Sequence, residues 1–318
     1  MLVSDARTCR PPAILLMGPT ASGKTAAAVH LATALPVDII SVDSAQIYRG
    51  MDIGTAKPDA TTLAQAPHAL IDILDPTERY SAARFRTDAL ALMAVSTARG
   101  RIPLLAGGTM LYFRALLEGL SDLPGADVQL RAQLEREASA LGWPALHARL
   151  AGIDPELASR LAPTDAQRIQ RALEIHALTG VPPSQRRVGG ERPPYDFLLL
   201  GLVPARREVL HERIARRFEA MLDVGLVDEL VRLQASYALH AELPAMRSVG
   251  YRQAWQYLAG DYGWAELRDR GVYATRQLAK RQLTWLRSMA GVTLLDCLAE
   301  DLASAVELAV RHWLADRH

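Results

Sequence analysis

The octapeptide Gly18-Pro19-Thr20-Ala21-Ser22-Gly23-Lys24-Thr25 satisfies the phosphate-binding pattern G-x-x-x-x-G-K-[ST] directly after the apolar run Ala13-Ile14-Leu15-Leu16-Met17. Such a loop belongs between a strand and the first turn of a helix, and the Ala-rich stretch 26–34 supplies the helix. Its glycines let successive backbone N–H groups wrap inward, Lys24 adds a point charge, and Thr25 offers a hydroxyl to Mg²⁺. The chain is built to grip a phosphate chain.

With 318 residues, 50% of them hydrophobic, it can bury one large domain with an elaboration, or two domains. No apolar run reaches the roughly 18 residues of a membrane span, and the start Met1-Leu2-Val3-Ser4-Asp5-Ala6-Arg7 lacks a secretory h-region, so a cytoplasmic chain without membrane contact is expected. Cys9 and Cys297 are the only cysteines, too few for a disulfide framework or a cysteine zinc site. There is no Asn, which removes N-glycosylation sites and the N-K-x-D element by which GTPases read guanine. Net charge is +1, but 270–295 carries Arg270, Arg276, Lys280, Arg281 and Arg287 with no acidic residue, a local basic surface.

The pattern predicts an α/β fold: a P-loop parallel sheet core flanked by helices, with an inserted helical domain and a helical C-terminal part. Runs 13–17, 38–42, 70–74 and 102–106 read as strands, and 26–34 and 82–98 as helices. Near 121 the alternation gives way to helices punctuated by loops, and at 197–203 an apolar run returns to the sheet, with helices from there to the end. The expected division is a catalytic core of 1–120 and 196–318 around an insertion of 121–195.

Ligands of open α/β sheets sit at the carboxyl ends of strands, which singles out Asp43 beside the phosphate loop. A helix cap or a kinase-type Mg²⁺ ligand is the plainer role for it. The strand ending at Ala106 runs into Gly107-Gly108-Thr109, where a nucleotide hydrolase would place a metal-binding Asp. At about 100° per residue, Arg217 lies at the edge of a stripe of Leu210, Ile214, Phe218, Met221 and Leu222. It either snorkels or pairs with a carboxylate, or it forms a second clamp on the phosphate chain. On 273–287, Ala274, Leu278, Ala279, Trp285 and Leu286 project to one side and Arg276, Lys280 and Arg287 to the other, a solvated face or a polyanion site. Thr164-Asp165-Ala166-Gln167 reads as a capping box.

Taken in order, these segments resemble the bacterial tRNA dimethylallyltransferase (tRNA isopentenyltransferase) family. The likeness is carried by Gly-Pro-Thr-Ala-Ser-Gly-Lys-Thr (18–25), Val-Asp-Ser-Ala-Gln-Ile-Tyr-Arg (42–49), Met-Asp-Ile-Gly-Thr-Ala-Lys-Pro (51–58) and Gly-Gly-Thr-Met-Leu-Tyr-Phe-Arg-Ala-Leu (107–116). It continues through Asp-Ala-Gln-Arg-Ile-Gln-Arg-Ala-Leu-Glu (165–174), Arg-Arg-Phe-Glu-Ala-Met-Leu (216–222), Val-Gly-Tyr-Arg-Gln (249–253) and Thr-Arg-Gln-Leu-Ala-Lys-Arg-Gln-Leu-Thr-Trp-Leu-Arg (275–287). In the segment 67–72 a single histidine, His68, stands where many members have two.

The resemblance implies transfer of a dimethylallyl group from its diphosphate to N6 of adenosine 37 in tRNAs that read codons beginning with U. It implies Asp43 as general base, Lys24 and Arg217 on the diphosphate with residues 18–25, Mg²⁺ on Thr25, and Thr109 either on the diphosphate or placing the base. It maps tRNA contacts to Asp43, Ser44, Ala45, Gln46 and Thr109, and to Gln167, Arg168, Ile169, Gln170 and Arg171. Further contacts map to Arg247, Ser248, Val249, Gly250, Tyr251 and Arg252, and to Lys280, Arg281, Gln282, Leu283, Thr284, Trp285, Leu286 and Arg287. The implied partners are a tRNA anticodon stem-loop and dimethylallyl diphosphate, with a monomer sufficient. Competing readings are alkylation of free AMP, ADP or ATP, a small-molecule kinase, and a non-catalytic RNA binder.

Overall fold

The computed structural model describes residues 10–119, 125, 127–186 and 189–317. The chain divides into two compact units, one running to Leu116 and resuming at Pro193, the other Leu117–Arg192. These divisions come slightly before the boundaries 120/121 and 195/196 expected from the sequence, and 120–124 lie outside the described residues.

The first unit is built on β1 (Pro12–Met17), β2 (Val37–Val42), β3 (His68–Ala69), β4 (Ile102–Gly107), β5 (Asp196–Val203) and β6 (Thr293–Asp296). Among the described residues these form one six-stranded sheet, ordered β3-β2-β4-β1-β5-β6, with every pairing parallel. Near-continuous apolar runs such as Leu15-Leu16-Met17 suit strands covered on both faces. One core joins Ile14, Leu16, Leu104 and Leu200 to α1 (Lys24–Ala34) and α13 (Leu302–Ala315) through Leu31, Val306 and Val310. A second gathers Ile47, Tyr48 and Met51 with α9 (Arg207–Asp223), α10 (Leu226–Ser236), α11 (Tyr251–Leu258) and α12 (Trp264–Ser288). The remaining helices of this part are α2 (Ala60–Gln65), α3 (Ala82–Ala98) and α4 (Met110–Glu118).

The second unit packs α5 (Val128–Leu141), α6 (Trp143–Ile153), α7 (Pro155–Ala158) and α8 (Ala166–Thr179) around Leu134, Leu146, Leu150, Ile169 and Leu173. Its fully buried Glu174 is satisfied by Arg131 Nε and an Arg131 terminal nitrogen at 2.8 and 2.9 Å, by Arg171 at 2.6 Å and by the Asp127 amide at 2.8 Å. The cap of α8 is Asp165, whose carboxylate accepts from the Arg168 amide, so the capping box expected from Thr164 and Gln167 is not formed.

Two expectations for the sheet are corrected. Segment 70–74 is not a strand: Leu70 and Asp72 take φ of 64° and 55°, which ends the strand at Ala69. The chain after 203 is not wholly helical, because Thr293–Asp296 pairs with β5 as a mostly exposed edge strand with no alternating pattern to announce it.

The close approach of β2 and β4 depends on Gly107. A Cβ there would lie 2.1 Å from the Val42 carbonyl oxygen, a backbone atom that cannot swing aside. Gly107→Ala is therefore expected to cost about 3 kcal/mol in urea unfolding, whereas a change below about 0.5 kcal/mol would contradict this account of the strand pair.

Candidate active site

Met17, Gly107 and Val42 are register partners across β1, β4 and β2, so the segments following them leave the sheet side by side. These are the phosphate loop, Gly108-Thr109 and Asp43 to Gln46. Together they wall an open cavity of about 660 Å³, completed by Ile214, Arg217, Phe218 and Met221 of α9, by Thr275, Leu278, Arg281, Gln282 and Trp285 of α12, and by Pro244 and Arg247 to Val249.

In the loop, Ala21 and Gly23 take φ of 62° and 82°. Glycine adopts this without penalty, while Ala21 stores about 1 kcal/mol of strain, in the backbone geometry that makes anion-binding concavities. Lys24 Nζ folds back on the Pro19 carbonyl at 2.6 Å and on Ser22 Oγ at 3.4 Å. Thr25 is exposed at the start of α1. Gly18 and Pro19 are buried beneath the loop and do not line the cavity. Gln282 ties loop and sheet together: its Oε1 accepts from the Thr20 amide at 3.0 Å and its Nε2 donates to the Gly108 carbonyl at 3.0 Å.

Asp43 is half-buried on the cavity wall. Its Oδ1 accepts from the amides of Ala45 and Gln46 at 2.9 and 3.3 Å, so the capping role and a chemical role coexist, with Oδ2 unbonded among the described residues. Thr109 Oγ1 accepts from the Ser44 amide at 3.0 Å, and the Thr109 amide donates to the Val42 carbonyl at 3.1 Å. Both contacts of Thr109 thus fasten the chain on either side of Asp43.

Cations dominate the cavity. Among the described residues Lys24, Arg217, Arg247 and Arg281 line it and Asp43 is its one carboxylate. Burial drives the Lys24 ammonium down to about 8, against the pull of Asp43 and in the same direction as the Arg217 charge. Burial likewise raises Asp43 above the ordinary carboxylate range, opposed by its two amide hydrogen bonds and then by Lys24 and Arg217. Arg217 is lowered by burial, with Asp43 opposing. Among the described residues the Arg217, Arg247 and Arg281 guanidinium groups have no hydrogen-bonding partner; Glu219, near Arg217 in sequence, pairs with Arg268 instead. A wall of cations surrounding one acid is a receptacle for a polyanion.

The profile of the IPP transferase family matches residues 46–289, and that of isopentenyl transferase residues 12–73. The chain belongs to the IPP transferase family, and is a prenyltransferase. It is 63% identical to a tRNA dimethylallyltransferase of Thiobacillus denitrificans over 304 residues, covering 95% of this chain and 97% of that one. With a tRNA dimethylallyltransferase of Burkholderia cenocepacia it shares 57% identity, covering 94% of each chain. Among solved structures it resembles the tRNA isopentenylpyrophosphate transferase of Bacillus halodurans, with a TM-score of 0.70, 38% identity, and coverage of 97% of this chain and 96% of that one. A eukaryotic dimethylallyltransferase described as acting on tRNA gives a TM-score of 0.81 at 26% identity, covering 97% and 80%.

In this IPP transferase the residues mapped to tRNA separate into groups. Ser44, Ala45, Gln46, Thr109, Arg247, Ser248, Val249, Arg281, Gln282 and Trp285 line the cavity. Lys280, Thr284, Arg287 and Arg252 are exposed outside it, as are Gln167 and Arg168 on α8. Ile169, Gly250, Tyr251, Leu283 and Leu286 are buried, unlike the exposed residues mapped to tRNA. Arg171 is engaged by Glu174, and Gln170 by the Arg131 carbonyl and Glu135. The Gln46 amide is also spent, accepting from Ser41 and donating to the Thr55 and Ala56 carbonyls. Leu278 and Trp285, assigned by periodicity to the apolar side of their helix, face the cavity, and Arg270 pairs with Glu266.

Glu229 had no motif to reveal it. Buried on α10, it accepts from the amides of Asp52, Ile53 and Gly54 at 3.0, 2.8 and 3.3 Å and from the Tyr251 hydroxyl at 2.5 Å, holding the loop whose Gly54 and Thr55 line the cavity. His68 lines the cavity with Nδ1 2.7 Å from the Ala66 carbonyl. A carbonyl only accepts, so Nδ1 carries the proton, and burial lowers the ring's affinity for a second one.

No group of three or more metal-ligating side chains exists among the described residues. Thr25 offers one hydroxyl, a donor set that fits an Mg²⁺ held mainly by substrate phosphates rather than a protein cage. If Thr109 acts by fixing Asp43, Thr109→Val will lower kcat about tenfold and leave KM for the diphosphate substrate nearly unchanged; a rise in KM alone would place its hydroxyl on the diphosphate instead.

Proposed function

We propose that this IPP transferase moves the dimethylallyl group from dimethylallyl diphosphate to N6 of adenosine 37 in tRNAs that read codons beginning with U. The observation that carries this reading is the single carboxylate of Asp43, with Oδ2 unbonded, set among Lys24, Arg217, Arg247 and Arg281 on one cavity. The diphosphate lies along residues 20–25, the part of the loop that lines the cavity, and the exposed residues of α12, Lys280, Thr284 and Arg287, meet the phosphates of the anticodon stem-loop. Gln167 and Arg168 are exposed at the start of α8 for a similar role. The names borne by the Thiobacillus and Burkholderia relatives support the same substrate pair.

The N6 lone pair of adenine is delocalised into the ring, so the amine attacks carbon poorly until its proton has somewhere to go. Asp43 Oδ2 accepts that proton as the N6–C1 bond forms; the C1–O bond breaks and its electron pair leaves with diphosphate. Lys24, Arg217 and the loop amides stabilise the negative charge growing on the departing oxygens. Mg²⁺, held by Thr25 and the phosphates, would neutralise further charge on the leaving group. The acceptor base sits in a stacked loop and must be extruded into the cavity to reach Asp43.

The pH dependence follows from the same groups. Because burial raises Asp43, the carboxylate form is gained as pH rises through that elevated value. The Lys24 charge is lost as pH rises past about 8 in the free enzyme, so kcat/KM is confined between the two. The proposed enzyme works as a monomer in the cytoplasm, where its tRNA substrate is found.

The test is mass spectrometry of an unmodified A36-A37-A38 anticodon stem-loop after incubation with enzyme, dimethylallyl diphosphate and Mg²⁺. One dimethylallyl group on A37, and none on AMP offered in parallel, is the expected result. Alkylation of AMP alone would reassign the acceptor to a free nucleotide, and phosphate transfer from ATP without alkylation would reassign the chemistry to a kinase.

A further inference from the structure

The apolar part of the cavity begins at the phosphate loop and runs between two helices. Ile214 of α9 belongs to the cluster against which Ala21 of the loop packs, and Phe218 and Met221 follow on the same face at one and two turns. On α12, Gln282 is fastened to the Thr20 amide, with Leu278 one turn back and Thr275 two turns back, all on the cavity. A hydrocarbon attached to a diphosphate in the loop has this lane to enter.

The lane meets an obstruction at Phe218, which lines the cavity yet is only 2% exposed. Gly271, a turn beyond Thr275 on α12, is directly beneath the ring: a Cβ on residue 271 would lie 1.9 Å from Phe218 Cζ. Behind the ring the packing continues through Leu222, Leu267 and Val272, all buried. The ring therefore has no space into which to withdraw, and close-packed interiors yield little to an added methylene.

We propose that Phe218, seated on Gly271, is the floor of the hydrocarbon compartment and limits the transferred group to one five-carbon unit. This rests on the alkyl-transfer reading above and adds the residue that sets chain length. The ring carries six carbons and the extra isoprene unit of a ten-carbon donor carries five, so removing the ring frees space of the right size. Gly271 is the complementary half, because a side chain there drives the ring toward the substrate.

The experiment compares wild type, Phe218→Ala, Phe218→Leu and Gly271→Ala, using dimethylallyl and geranyl diphosphate as donors to the anticodon stem-loop. Direct calorimetric binding of each diphosphate is measured alongside. Wild type should strongly prefer the five-carbon donor, the two Phe218 variants should shift the geranyl-to-dimethylallyl ratio of kcat/KM about tenfold or more toward geranyl, and Gly271→Ala should weaken dimethylallyl diphosphate binding. Phe218→Leu, which keeps an apolar contact with the core, carries the test if Phe218→Ala does not fold. An unchanged ratio in a folded Phe218 variant, or wild type using both donors equally, would overturn the proposal. If no donor is transferred by wild type, the alkyl-transfer reading fails; the calorimetry then judges Phe218 by itself, an unchanged preference between the two diphosphates rejecting the floor.

Discussion

The Val42 carbonyl occupies the space in which a side chain at residue 107 would begin, and that contact lets three strand ends lie flush at one edge of the sheet. From those ends come a phosphate loop, a general-base candidate and the threonine that fastens it, with no long-range adjustment required. Gln282 closes the arrangement from α12, bonding the loop on one side and Gly108 on the other. The sheet edge thus fixes the phosphate loop, Asp43 and Thr109, while the helices supply Arg217, Arg281 and the apolar wall.

The electrostatic design differs from that of a nucleotide hydrolase on the same kind of sheet. β4 ends in glycine where a metal-binding aspartate would stand, and among the described residues the one carboxylate on the cavity is at the end of β2. Asp43 is neither locked in an ion pair nor left without support: two amides hold one oxygen and the other is available. Lys24 is brought down to about 8 by burial, with Asp43 as the carboxylate that pulls the other way.

Much of this was legible in the sequence because it rests on local pattern. The phosphate loop, β1, β2, β4, β5 and α3 follow from apolar runs and helix-length periodicity, and Asp43 from its place at a strand end. What escaped depends on contacts distant along the chain. Glu229 looks like an ordinary acid in the first turn of a helix until the amides of 52–54 are seen to converge on it. Gln282 stands in the sequence only as a tRNA contact implied by the resemblance, although its amide spans two loops more than 170 residues away. Leu278 and Trp285 have the periodicity of core residues but line the cavity, since an apolar cavity wall and an apolar core leave the same mark on a helix. Segment 70–74 is apolar enough for a strand, and left-handed backbone at Leu70 and Asp72 is not written in composition.

The central claim is that Asp43 Oδ2 takes the proton from the acceptor amine, and Asp43→Asn tests it with little disturbance. Asparagine keeps the oxygen that accepts from Ala45 and Gln46 and replaces only the free one. Single-turnover transfer to the stem-loop should fall about 100-fold or more while both substrates still bind with near wild-type affinity. A rate within about threefold of wild type would show that the proton leaves by another route and that Asp43 is only a cap.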